Sequence, residues 1–188
     1  MRRVALLLGA VLLGFMVSSC GEPTQEKIYK EVDMMFTQKE AEVKAIDNAD
    51  DLLAFVNAMN ETPELEILRK YANDNDELED LTAEEADKLF DRMLERRSVY
   101  EAVQEEKCTE ILEPLIADYE KVVADLYEDY ENDVPEPDKA LIDQWSKLYD
   151  QVYQYADIIP DALADRFLEA DDLIDFMFGL GDYTEDDE

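Results

Sequence analysis

Carboxylates are the most abundant chemistry in this chain: 50 of its 188 residues are Asp or Glu against 17 Lys or Arg, a formal charge of −33. Asp161, Asp165, Glu169 and Asp172 recur three or four residues apart, a spacing that lays them along one side of a helix. Like charges one turn apart cost about 0.2–0.5 kcal/mol per pair. The stripe therefore reads either as a solvated face or as a surface for a cation or a basic partner. The basic counterpart is Lys88, Arg92 and Arg96, with Arg97 beside it. Glu84, Glu95 and Glu101 lie at helical spacing from these, which predicts pairing within the helix. The other reading is a docking patch for an acidic segment, such as the chain's own C-terminal part. Tyr127, Tyr130, Trp145, Tyr149 and Tyr153 crowd around Pro135, with Tyr100, Tyr119 and Tyr155 in the same pattern. Such rings fill cores, stack on sugars and anchor protein interfaces, so these five residues form the best candidate binding surface.

Several chemistries are removed by composition. The chain has no histidine, which excludes imidazole bases, His-assisted nucleophiles, His metal ligands and Glu-x-x-His di-metal bundles. No Gly-x-Ser-x-Gly elbow and no phosphate-binding glycine loop occurs. Asn73-Asp74-Asn75-Asp76-Glu77 begins like a calcium loop but lacks its glycine and its spaced final glutamate. No metal site is expected. Strong negative charge disfavours nucleic acid and bare anionic lipid as partners and favours cations, basic peptides or basic protein surfaces. Paired-carboxylate hydrolysis stays open, although no pair of acids is singled out.

The elements that must position these residues read as helices. Ile28, Val32, Met35, Phe36, Val43 and Ile46 trace one stripe over residues 24–46, interrupted at Lys39. Asp47-Asn48-Ala49-Asp50 stops that helix and starts a short one to Met59. Thr62-Pro63 opens a third, and residues 73–79 read as a polar loop. Thr82 and Glu85 make a capping box ahead of the longest pattern: Leu89, Met93, Tyr100, Val103, Ile111, Leu115, Tyr119, Val122, Leu126 and Tyr130. A proline inside a helix costs about 3 kcal/mol, yet the apolar phase passes Pro114 without a slip. The spacing predicts one Pro114-kinked helix from Thr82 to Asn132, roughly 75 Å long at 1.5 Å per residue. After a turn at Pro135, Leu141 to Ile159 mark the next helix, and Pro160 opens a last one that Gly179 closes. No strand alternation is present. The fold class is all-α, an elongated bundle of about five helices.

The first 20 residues specify a destination. Arg2 and Arg3 precede an apolar run, Val4–Val17, which is too short to span a bilayer, since spanning takes about 20 residues. Val17-Ser18-Ser19-Cys20 then resembles the lipobox of bacterial lipoprotein precursors. That resemblance implies a diacylglyceryl group on Cys20, cleavage before it and acylation of the new amino terminus. Two or more acyl chains hold durably where one does not. Gly21 is not the aspartate that retains such proteins at the inner membrane, which points to the outer membrane, facing the periplasm or the surface. More loosely, Ala45-Ile46-Asp47-Asn48-Ala49-Asp50-Asp51-Leu52-Leu53, with the capped helix at Thr82, resembles small acidic helical lipoproteins of the Bacteroidota type. Residues 1–19 contain both leading arginines and no acid, so their removal leaves 169 residues carrying −35. Cys108 then has no disulfide partner and is expected in the core.

The expected organisation is a signal peptide over 1–19, a lipidated tether over 20–24, a helical domain over 25–181 and an acidic tail over 182–188. The expected role is binding or scaffolding a protein, peptide or glycan at the cell envelope, without catalysis and without a cofactor beyond the lipid on Cys20. Binding of a cation or basic peptide, and carboxylate-dependent hydrolysis of envelope polymers, are the alternatives.

Overall fold

The computed structural model describes residues 23–59, 63–74, 78, 81–132, 134 and 138–179. Among the described residues six α-helices follow one another: α1 (Thr24–Lys44), α2 (Ala49–Ala58), α3 (Pro63–Asp74), α4 (Ala83–Glu131), α5 (Lys139–Gln154) and α6 (Asp161–Phe178), with a 3₁₀ turn at Ala156–Ile158. No strand occurs among the described residues. The protein is an all-α bundle. Met1–Cys20, the start of the Pro135 turn and the acidic tail lie outside the described residues. Among those described, no helix is long and apolar enough to cross a membrane.

The 49-residue α4 is the spine, about 74 Å long at 1.5 Å per residue. Thr82 Oγ1 accepts from the Glu85 amide, and Glu85 reaches back to the Thr82 amide, which satisfies two of the orphan donors at the helix start. The helix continues unbroken past Pro114, whose ring is exposed, and stops at Asn132. Two separate cores lie along this one helix. On the N-terminal half, Leu89, Met93 and Tyr100 pack with Ile28, Val32, Phe36 and Val43 of α1, with α3 leaning on them. On the C-terminal half, residues from Cys108 to Leu126 pack with Leu52 of α2, Val152 of α5 and Leu163, Phe167, Ala170 and Ile174 of α6.

Cross-helix pairs give the directions. Glu26 meets Arg92 and Asp33 meets Arg96, so α1 runs parallel to α4. Glu64 meets Arg97 while Lys70 meets Glu31, so α3 runs the other way. Glu113 meets Arg166, Tyr119 meets Asp171 and Tyr130 meets Phe176, so α6 is parallel to α4 and ends near the C-terminal tip of α4. The tether side of α1 and the end of α6 thus lie at opposite ends of the spine. From Arg92 to Tyr130 is 38 residues, about 57 Å.

Two boundaries and one buried face differ from the expected ones. Asn73 and Asp74 close α3 instead of opening a loop, and the rest of the calcium-loop candidate, residues 75–77, lies outside the described residues. The helix expected to reach Ile159 ends at Gln154 and tightens into the 3₁₀ turn, because Pro160 forces Ile159 into an extended backbone (ψ 123°). In mid-α4 the fully buried residues are Leu112 and Ile116, while Ile111 and Leu115 are half-buried. Leu112, Ile116, Tyr119, Val123 and Leu126 keep a three-four spacing, so the buried stripe lies one residue on from the expected Ile111 and Leu115.

Candidate functional site

The basic stripe is occupied by the chain itself. Arg92 pairs with Glu26 at 2.8 Å and lies over the Tyr29 ring, 3.6 Å from its centre. Arg96 pairs with Asp33 at 2.6 Å, with Glu40 and with Thr37, and covers the Phe36 ring. Arg97 joins Glu64 of α3 to Glu101 of its own helix. Only Lys88–Glu84 and Arg97–Glu101 are the expected pairs within α4. An acidic segment does dock on this stripe, but α1 and α3 supply it rather than the C-terminal part. The physical reason is that α1 presents Ile28, Val32 and Phe36 on the same side as its acids, so apolar burial and ion pairing act together.

The acidic stripe is a solvated face. Asp161, Asp165, Glu169 and Asp172 are all exposed. Among the described residues no cluster of three or more acids or cysteines is placed to hold a metal. The acids of α6 that face the protein are instead Asp171 and Asp175, both half-buried. The Tyr119 hydroxyl donates to Asp171 Oδ1 at 2.7 Å and accepts from Trp145 Nε1 at 3.1 Å. Burial first, and then the bond to Asp171, raise the Tyr119 phenol well above its ordinary pKa. Arg166 ties α6 to Glu113 and Glu120 of α4 and holds the Glu120 carboxyl below its ordinary range.

The five aromatic residues do not form one surface. Trp145, Tyr149 and Tyr153 make a row along α5, with ring centres 5.9 and 5.8 Å apart, and Phe178 of α6 continues it at 6.3 Å from Trp145. Tyr127 and Tyr130 stack on α4 at 6.2 Å, and Tyr130 meets Phe176 edge-on. Phe176 and Phe178 are two residues apart, about 200° around a helix, so the end of α6 separates the two groups. Tyr153 is the most open ring at 66 % exposure; Tyr130, Phe176 and Phe178 are also exposed. Tyr149 connects the row to the core through Phe167. Its phenol is raised by burial and then by Asp171, Tyr153, Asp175 and Asp150, so carboxylates surround the row.

Phe176 and Phe178 are the functional candidates that pattern reasoning passes over. They flank Met177, which sits on the expected apolar stripe, and two rings off that stripe at a helix end were the available signal. Tyr100 lies away from both groups, in the N-terminal core against Phe36, and its buried hydroxyl has no hydrogen-bond partner among the described residues. Tyr155 donates to Asp50 and ties the α5 end to α2. Cys108 is buried and free; burial, and then Glu105, raise its thiol pKa. Comparison with protein-family models, curated proteins and solved structures returned no match.

Proposed function

We propose that the chain is a lipid-anchored cell-envelope protein that acts by binding or scaffolding a protein, peptide or glycan rather than by catalysis. The observation that carries this reading is the exposed aromatic surface at the tip of α4 and α6, about 57 Å along the spine from the Glu26–Arg92 contact at the start of α1. α1 begins at Thr24, four positions after Cys20, so a lipid on that cysteine would hold the first end at the bilayer. The aromatic end would then project into the envelope. Exposed Tyr and Phe rings beside a folded core, with Trp145 half-buried among them, are the residues from which interfaces are built. With Gly21 after the cysteine, the outer membrane is the favoured address.

Palmitate labelling in a lipoprotein-processing bacterium tests the anchor. Label should enter the wild-type chain and be absent from Cys20→Ala; equal labelling of both refutes the anchor. Crosslinking in intact envelopes from a photoreactive residue at Tyr130 tests the role. A discrete adduct lost on adding Phe176→Ala supports binding at the tip, whereas the same adducts from a probe at exposed Asp161, at the other end of α6, refute it.

A further inference from the structure

The N-terminal half contains its own demonstration of how this protein holds an arginine. In α1, Glu26 stands three residues before Tyr29, and Asp33 three before Phe36. Each acid–ring pair takes one arginine of α4: Arg92 on Glu26 and Tyr29, Arg96 on Asp33 and Phe36. An acid and a ring one turn apart present a carboxylate and a π-face to the same guanidinium, which can pair with one while stacking on the other.

The same unit occurs twice along the aromatic row, without a cation. Asp150 precedes Tyr153 by three residues on α5, and Asp175 precedes Phe178 by three on α6. Tyr149 and Trp145 join the two rings into one surface. Among the described residues neither Asp150 nor Asp175 makes an ion pair, and no Lys or Arg lies over any of these four rings. The chain's own Arg92, Arg96, Arg97 and Arg166 are already committed elsewhere. Charge complementarity therefore points outward, to a cation brought by another molecule.

We infer that the α5–α6 aromatic row receives an arginine-bearing segment of another polypeptide, seating a guanidinium on Tyr153 beside Asp150 and a second on Phe178 beside Asp175. This names the partner class within the binding role proposed above and rests on that reading. It also moves basic-partner recognition away from the exposed stripe of Asp161, Asp165, Glu169 and Asp172, where no ring follows an acid by three residues.

The test is calorimetry, with Trp145 emission read in parallel, on the full chain in detergent. The probe is an alanine-rich helical peptide with arginines two turns apart, and its control carries glutamine at those positions. The arginine peptide should bind at least tenfold more tightly than the glutamine peptide. Asp150→Asn with Asp175→Asn should weaken it about tenfold, and Tyr153→Ala should do so through an exposed ring that no fold contact requires. Asp161→Asn with Asp165→Asn removes the same two charges and should change binding less than twofold. Equal binding of the two peptides, no binding, or equal loss in the two charge-matched pairs overturns the inference. A neutral chitin oligomer that shifts Trp145 emission while the arginine peptide does not overturns it too, yet leaves the binding role standing. Failure of Cys20 labelling overturns the envelope reading alone.

Discussion

Tyr119→Phe isolates one oxygen on which three helices meet. Tyr119 is fully buried in the C-terminal core, and its hydroxyl joins Asp171 of α6 to Trp145 of α5. A hydrogen bond to a charged group contributes about 1.5–3 kcal/mol net and a neutral one about 0.5–1.5. Deleting the hydroxyl forfeits both and leaves the indole N–H facing carbon. Asp171 is half-buried, so water recovers part of its share, and the expected loss is about 2–3 kcal/mol. With a urea m-value of about 2 kcal/mol/M, the midpoint falls by about 1 M or slightly more. Trp145 is the sole tryptophan, so its emission reports both the unfolding transition and the changed surroundings of its ring nitrogen. Asp171→Asn keeps an acceptor oxygen and should cost less than Tyr119→Phe. A Tyr119→Phe variant within about 0.5 kcal/mol of wild type, with unchanged emission, would show that the hydroxyl does not bridge the helices, and the reasoning would fail.

Other perturbations test the spine and its two cores. Pro114→Ala restores a backbone donor in an exposed turn of α4 and should stabilise the protein by about 2 kcal/mol, the helix-interior cost of proline less its benefit in the unfolded chain; no gain in urea would mean that α4 does not run through this position in solution. Arg96→Gln strips the cation from Asp33 and Glu40; because Asp33 is 48 % exposed and readily hydrated, the expected cost is about 1–2 kcal/mol, read as faster hydrogen exchange throughout α1, and unchanged exchange there would count against the docking account. Cys108, buried and with its thiol pKa raised, should resist a disulfide reagent at pH 8 until urea unfolds the core, whereas immediate stoichiometric reaction would contradict its burial. Alkaline pH should destabilise the fold through its two core tyrosines. Burial pushes Tyr100 up to about 12 and Tyr119 higher still, so both stay protonated in both states below pH 10; between pH 10 and 12 the unfolded chain loses these protons first, and stability falls by about 1.4 kcal/mol per pH unit for each, so Tyr119→Phe should lessen the slope by about that amount.

Much of the architecture is legible from local signals. The capping box at Thr82, the stop at Asn132 and the left-handed Gly179 close to the end of the chain each rest on chemistry within one turn. The uninterrupted passage through Pro114 follows from the apolar phase on either side of it, and because the ring is exposed its strain is confined to the preceding turn of α4 and meets no neighbouring helix. What local signals do not contain is which sides of a long helix are covered. Ile111 and Leu115 are as apolar as Leu112 and Ile116, so spacing along α4 allows two phases one residue apart, and only packing against α2, α5 and α6 buries the second pair more deeply. The candidate surface was half legible for the same reason. The crowding of Trp145, Tyr149 and Tyr153 on α5 is a property of one helix; their continuation into Phe178, and the separation of Tyr127 and Tyr130 behind α6, are properties of the packing.

The basic stripe and the aromatic row show why charge pattern alone cannot separate a structural contact from a recognition surface. Lys88, Arg92 and Arg96 present a row of cations that could equally greet a partner or hold a neighbouring helix. The deciding quantity is apolar area on the element that carries the complementary acids. α1 has it: Ile28, Val32, Phe36 and Val43 are each almost wholly buried, and at about 25 cal/mol per Å² their burial outweighs what exposed ion pairs supply, so the ion pairs orient a contact that hydrophobic packing sustains. Once α1 is seated, its acid–ring pairs are filled and invisible to any outside molecule. On α5 and α6 the rings of the matching pairs, Tyr153 and Phe178, are exposed, and no element of the described chain brings both apolar area and arginine to them. One local motif thus has two fates, set by whether the fold delivers its complement. On α1 it is spent on the fold, and on the α5–α6 row it is left to select a partner.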